Sequence, residues 1–343
     1  MKKVLVTGGC GYIGSHTIVD LIDNGFEVIS VDNNVNSDLK ALAGIRAITD
    51  KLVKNYTIDL CDLEKTRKIF SNDKIDGVIH FAALKSVGES VFQPVRYFHN
   101  NINSLLNILS CCEEFGVENL IFSSSCSVYG NAKDLPVTEL TPFEKAESPY
   151  ARTKQMGEHI IEDFCTHNTK FKSILLRYFN PAGAHESGLI GEAPSNKASN
   201  LVPVITETAI GKRKEMTVFG DDYKTRDGSC IRDYIHVMDL ANAHTKAIQY
   251  LFEDENQQAC EVYNLGIGEG VTVLEAIQAF EKVTGQKLNY QVGARRPGDV
   301  EAIYANLDKA SQNLGWKPTR SIEDIMKTAW IWEQHRTEEV LQN

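Results

Sequence analysis

The segment Val4-Leu5-Val6-Thr7-Gly8-Gly9-Cys10-Gly11-Tyr12-Ile13-Gly14-Ser15 constrains the fold of this chain more than any other stretch. A short apolar run leads without a break into glycines at 8, 11 and 14, and then into residues with helical spacing. Glycines let the backbone turn tightly and approach a ligand, and the helix that opens here aims N–H groups at an anion. That arrangement suits the pyrophosphate of a dinucleotide and demands a strand–helix–strand unit around it.

The flanking residues supply that unit. Residues 2–7 read as a buried parallel strand. Gly14, Ile18, Leu21 and Ile22 share a helical face, and Gly25 stops that helix. A second strand, 27–31, ends on Asp32, about 20 residues beyond the loop, where an acid holds a ribose hydroxyl. The following Asn33, Asn34, Val35 and Asn36 offer no cation for an extra phosphate, which favours NAD over NADP.

Alternation then continues, with strands expected at 57–59, 77–83, 120–125 and 173–179. Helices are expected at 63–70, from Pro94 onward and at about 150–167. The class is α/β: a doubly wound, parallel-sheet Rossmann domain with its ligand at the carboxyl ends of the strands. After Asn180 the alternation lapses. We assign residues 1–180 to the NAD-binding domain, with 234–265 returning to it, and 181–343 mainly to a smaller α/β substrate-binding domain.

Charge and cysteine usage narrow the partners. A net charge of −10 argues against nucleic acid, and no apolar run approaches a membrane span. The eight cysteines form no Cys-x-x-Cys pair and read as reduced thiols, so a cytoplasmic protein without a signal peptide is expected. His185, His236 and His244 lack a ligand constellation, so no metal is expected, and His80 reads as structural.

The chemistry-bearing stretch is Tyr150-Ala151-Arg152-Thr153-Lys154, a phenol and an ammonium stacked at i and i+4. A phenol with a pKa near ~10 is a poor base at neutral pH, but a close cation favours its phenolate by roughly 1–3 units. Such a pair can take a proton from a substrate hydroxyl while a nicotinamide takes the hydride. Upstream lies Ser123-Ser124-Ser125-Cys126-Ser127, where Ser125 or Ser127 can donate to the same oxygen and Ser123 and Ser124 read as turn residues.

These motifs resemble the extended short-chain dehydrogenase/reductase family, and within it the UDP-hexose 4-epimerases. The likeness runs from Val4 to about Trp332. It includes residues 6–17, 80–91, 122–130, Ser148 to Lys154, 176–183, 232–239 and Arg295-Arg296-Pro297-Gly298-Asp299. It implies tightly bound NAD, reduced and reoxidised within each turnover, and interconversion of UDP-glucose and UDP-galactose through a 4-keto sugar. Tyr150 would be the acid/base, Lys154 would hold the nicotinamide ribose, and Ser125 would assist.

By the same resemblance Gly8, Gly11, Tyr12, Ile13, Gly14, Asp32, Asn33, Asn36, Ser37, Asp59, Leu60, Phe81, Ala82, Lys85, Asn100 and Phe179 line the cofactor. Ser127, Tyr178, Asn180, Asn200, Leu201, Thr217, Phe219, Arg232, Arg296, Asp299 and Ile303 face the UDP-hexose. Arginine forks suit a diphosphate, whereas Arg226 and Arg320 read as surface ion pairs.

Related dehydratases carry extra carboxylates just after the fifth strand, where this chain has Cys126 and Ser127, so dehydration is not expected. Ile303 stands where the family gates its sugar pocket with Tyr or a small residue, which keeps UDP-N-acetylhexosamines and UDP-uronic acids open as alternative substrates. Ala83 replaces a common Gly. Helices 94–115 and 150–167 each carry a long apolar stripe, and the resemblance implies that they pack across a two-fold axis in a homodimer.

Overall fold

Side-chain alternation along the first strand, β1 (Lys3–Thr7), decides the layering. Val4 and Val6 pack into one apolar cluster and Leu5 into another on the opposite face. Helices must therefore cover both faces of the sheet. The computed structural model describes residues 1–194, 198–296 and 300–342.

After β1 come α1 (Tyr12–Asp23), β2 (Glu27–Val31), α2 (Lys40–Thr49), β3 (Lys54–Tyr56) and α3 (Leu63–Asn72). Then follow β4 (Gly77–His80), α4 (Val87–Phe92), α5 (Pro94–Phe115), β5 (Asn119–Ser125), a 3-10 turn over Cys126–Tyr129, α6 (Pro149–His167) and β6 (Lys172–Tyr178). Gly25, with φ +82, follows the end of α1. Ser148 caps α6 through its hydroxyl, with Pro149 in the first turn.

Three differences from expectation concern short elements. The third strand lies at 54–56, where Lys54 pairs with Ile29 of β2, and residues 57–59 lead out of the sheet toward its carboxyl edge. The fourth strand ends at His80, three residues early. Helices α2 and α4 were not expected.

The remaining elements are β7 (Asn180–Ala182), α7 (Leu201–Ala209), β8 (Met216–Phe219), β9 (Ile231–Arg232), β10 (Tyr234–His236), α8 (Val237–Phe252) and β11 (Cys260–Leu265). They continue with β12 (Val271–Thr272), α9 (Val273–Thr284), β13 (Tyr290–Gly293), β14 (Ala302–Ile303), α10 (Asp308–Asn313) and α11 (Ile322–Gln342). The main sheet has the order β11-β6-β5-β4-β1-β2-β3, and every pair in it is parallel. The order reverses between β1 and β4, and a ligand crevice opens at the carboxyl ends there.

One face is covered by α1 and α8 through Ile18, Leu21, Leu240 and Ile248. The other is covered by α3, α5 and α6 through Ile69, Leu105, Ile108 and Ile161. A separate core joins Ile205, Val218, Ile277, Phe280 and Met326 from α7, β8, α9 and α11. The strand β10 pairs with β7 outside the main sheet, and β14 and β12 flank β9.

Candidate active site

The glycine loop sits where β1 leaves the sheet. Gly8 has φ +69, and a Cβ on Gly14 would lie 2.2 Å from the Gly8 carbonyl oxygen. Only glycine fits either place. Gly11 stands at the N-cap of α1 and offers no side-chain cap, and a helix's first N–H groups have no intrahelical acceptor. Tyr12, Ile13 and Gly14 thus open a helix end suited to an anion.

Asp32 lies beside this loop. Its carboxylate accepts from the Cys10 amide at 3.1 Å, the Asn34 amide at 2.9 Å and the Ser37 hydroxyl at 2.7 Å. Asn33 accepts from the Val35 amide at 3.1 Å, and Asn36 is exposed on the same loop. After the neighbouring strand β3, Asp59 accepts from the Cys61 amide at 2.9 Å, beside buried Leu60. The Ala82 amide donates to the Thr7 hydroxyl at 3.1 Å, and Phe81 lies 4.6 Å from the His244 ring. Asn100 donates to Asn101 at 2.9 Å.

Lys154 is buried, at 4% exposure. Its ammonium donates to the Ser123 carbonyl and lies 4.9 Å from the Phe122 ring centre and 5.9 Å from that of Tyr150. Burial pushes its pKa down to about 8, against the opposing charge of Glu158. Burial also pushes the Tyr150 phenol up to about 12, although a hydrogen bond with Ser125 favours its ionisation. The cation next door was expected to lower that phenol. Desolvation dominates here, and the ammonium donates to the Ser123 carbonyl rather than to the phenol.

Ser123 and Ser124 are more than turn residues. Ser123 shares a hydrogen bond with the Tyr178 hydroxyl, and Ser124 donates to Glu158. Glu158, wholly buried one turn after Lys154, pairs with Arg177 at 2.6 Å, and Arg177 reaches the Tyr129 hydroxyl at 3.1 Å. The reactive helix is thereby clamped to β5 and β6. Ser127 lies in the turn after β5 with its hydroxyl buried.

Most of the remaining residues lie on β6 to β9, β14 and the start of α7. Tyr178 and Phe179 are buried at the end of β6, and Asn180 begins β7 with its amide donating to the Asp233 carbonyl at 3.0 Å. Asn200 and Leu201 stand at the N-terminus of α7. Thr217 and Phe219 lie on β8, and the Arg296 guanidinium stacks 5.6 Å from the Phe219 ring centre. Arg232 donates to the Val300 carbonyl at 2.9 Å and pairs in register with buried Ile303. Asp299 lies outside the described residues.

Two positions were missed in the sequence. Asn101 binds the Leu84 amide at 2.8 Å, the Leu84 carbonyl at 3.0 Å and the Thr153 hydroxyl at 3.1 Å, tying the loop after β4 to α6. Glu192 accepts from Lys85 at 3.2 Å and Asn200 at 3.0 Å. No local pattern marks either, because their partners are distant in sequence. His80 is buried and bonded to the Thr7 hydroxyl at 2.9 Å.

A glycine loop at the switch point, facing a tyrosine–lysine pair across a serine-rich strand end, defines a dinucleotide-dependent enzyme of the short-chain dehydrogenase/reductase class. The family model described as GDP-mannose 4,6 dehydratase matches residues 5–329. UDP-glucose 4-epimerase 2 of Arabidopsis thaliana is 47% identical over 334 residues, covering 96% of this chain and 95% of its own. The crystal structure of UDP-glucose 4-epimerase from Bifidobacterium longum in complex with NAD+ and UDP superposes with TM-score 0.93 at 45% identity, over 98% of this chain and 99% of that one. That of the Stenotrophomonas maltophila UDP-glucose-4-epimerase, with bound NAD and formylated UDP-arabinopyranose, gives TM-score 0.96 at 42% identity, over 99% and 100%. This chain belongs to the UDP-glucose 4-epimerase family.

Proposed function

We propose that this protein is an NAD-dependent UDP-glucose 4-epimerase, interconverting UDP-glucose and UDP-galactose by transient oxidation at sugar C4. The observation that carries the reading is the single proton-transferring centre at the end of β5. Tyr150 is hydrogen-bonded to Ser125, Lys154 is buried beside it, and Cys126 and Ser127 follow in place of carboxylates. Inversion at one carbon needs one base and one reversible oxidant, whereas elimination of a hydroxyl needs a further acid.

The residues present fit the cofactor. Gly8, Gly11 and Gly14 let the loop pack tightly against its own backbone and Ala82, which leaves the uncapped start of α1 to offer its amides to a diphosphate, and Asp32 offers a carboxylate to a ribose hydroxyl. No lysine or arginine occurs among residues 33–37 to meet a further phosphate. Bound there, NAD supplies the oxidant that takes hydride from sugar C4 and gives it back.

Once ionised, a state that the Ser125 hydrogen bond favours, Tyr150 takes the proton of the 4-hydroxyl as the C4–O bond becomes a carbonyl, and returns it when the C4–H bond re-forms on the opposite face. Ser125 holds that oxygen in line, and Lys154 fixes the ribose and keeps positive charge near the phenol. Arg232 and Arg296 meet the diphosphate, Phe219 covers the uracil, and Asn180, Asn200, Leu201, Thr217 and Asp299 complete the nucleotide site. Tyr178 and Ile303 face the sugar. Because hydride would have to be stored between the half-reactions, the residues around the glycine loop and Asp32 would have to retain the cofactor through turnover. Residues 1–180 with 234–265 hold the cofactor, and 181–343 mainly hold the UDP-sugar.

Phe92 is 86% exposed and Val95 79%, with Leu106 and Met156 also exposed on α5 and α6. We assign this apolar face to a homodimer contact. The eight cysteines, with no Cys-x-x-Cys pair among them, support a reducing, cytoplasmic location. No helix of the described residues is long and apolar enough to cross a membrane. In the functional test, purified protein given UDP-galactose should release UDP-glucose with no added reductant. Absence of that product would overturn the reading.

A further inference from the structure

We propose that Glu192 is a positioning residue that couples the dinucleotide site to the nucleoside-diphosphate site. The inference rests on the epimerase reading above, because it takes Lys85 as a cofactor-side group and Asn200 as a substrate-side group.

One oxygen of the Glu192 carboxylate accepts both hydrogen bonds, from the Lys85 ammonium at 3.2 Å and the Asn200 amide at 3.0 Å. Lys85 comes from the loop after β4, in the nucleotide-binding sheet, and Asn200 stands at the N-terminus of α7, whose helix belongs to the other core. The same carboxylate charge acts on Tyr12 in the first turn of α1, where it adds to burial in holding the phenol protonated. The Tyr12 hydroxyl donates to the Gly183 carbonyl at 2.7 Å. A single carboxylate thus reaches the glycine-loop helix, the β4 loop and the start of α7.

Burial assigns the roles. The Glu192 side chain is 10% exposed and the Lys85 side chain 62%. The Trp332 indole donates to the Glu192 backbone carbonyl at 2.9 Å and anchors that residue. Glu192 is therefore the fixed member and Lys85 the movable arm. A dinucleotide diphosphate at the start of α1 competes with Glu192 for the Lys85 ammonium. When Lys85 turns to it, the carboxylate oxygen is left to Asn200 alone, and that remaining hydrogen bond strengthens. The N-terminus of α7 is then held more firmly for the second nucleotide. Reciprocity requires that the second nucleotide tighten the first by the same factor.

The test uses cofactor-stripped full-length protein and calorimetric titration of NAD, with and without saturating UDP. In the native chain UDP should tighten NAD by about 5-fold or more, within the usual range for coupled sites. In Glu192→Gln, which keeps shape and removes charge, the ratio should fall to about one while NAD still binds. Lys85→Met, at an exposed position that does not threaten folding, should lower the ratio as well. A thermal melt on each variant separates loss of coupling from loss of fold. An unchanged UDP effect in both variants, or no UDP effect in the native chain, overturns the proposal and leaves the epimerase reading intact. Failure of the native chain to bind either nucleotide overturns that reading and this proposal together.

Discussion

The Lys154 ammonium donates to the carbonyl of Ser123 and stands 5.9 Å from the ring centre of Tyr150, so the cation reaches the base across the end of β5 rather than touching it. Ser125, two residues along the same strand, is the group that contacts the phenol. Strand and helix therefore act together on one proton.

Removing the phenol oxygen isolates that role. Tyr150→Phe should retain NAD, because the glycine loop and Asp32 are untouched, yet lose turnover by roughly 10²–10⁴-fold, the usual worth of a positioned base. Bound cofactor is read from absorbance after gel filtration, and turnover from product formation. Near-native turnover would mean that the base lies elsewhere.

Lys154 carries a pH signature. Burial holds its pKa near 8, so it is cationic below that pH and loses its charge above it. As an aid to the phenolate it helps only while charged, so kcat/KM should show a falling limb near pH 8. Lys154→Met should lower the rate about 10²-fold and abolish that limb. The same limb in the variant would assign it to another group.

We propose that Ile303 controls sugar breadth. It is buried against Val128 and Phe179 and paired in register with Arg232, so a larger side chain there fills space on the sugar side. Ile303→Tyr should cut turnover of UDP-N-acetylgalactosamine by about 10-fold or more while changing UDP-galactose turnover by less than about 3-fold. Equal losses on both would show general misfit rather than gating.

Four buried histidines set the acid limit of stability. Burial lowers His16 and His80 to about 3 and His236 and His244 to about 4, all from about 6.5. Between those values the unfolded chain binds protons that the folded chain refuses, so stability falls as pH drops below 6.5. Each histidine costs about 2 kcal/mol at pH 5. Asp233, which burial raises to about 6, and Asp20, which burial also raises, work the other way, but they are two groups against four. Tm should therefore drop between pH 6.5 and 5, and a flat profile would contradict neutral burial.

Features with local causes were legible in the sequence. The glycine loop, Asp32 and the Tyr150–Lys154 spacing each depend on neighbours within one turn or one strand–helix unit. Where long-range pairing decides, the reading failed. The edge strand β3 settles on Lys54–Tyr56, which has little apolar character, because β2 offers it hydrogen bonds there. In α2, Gly44 breaks the apolar pattern because its bare Cα lies against Leu189 and Ile190. Ser123 and Ser124 looked like turn residues because their partners, Tyr178 and Glu158, lie 55 and 34 residues away. Glu192 was silent because Lys85 is 107 residues upstream.

The central claim is that the C4 hydrogen leaves as hydride and returns within the same active site. Its most direct test follows UDP-galactose carrying deuterium at C4 through conversion in ordinary water, with the C4 isotope content of the product read by mass spectrometry. Full retention of deuterium in UDP-glucose, with no added NAD, is the expected result. Exchange of that deuterium for solvent hydrogen would contradict the account.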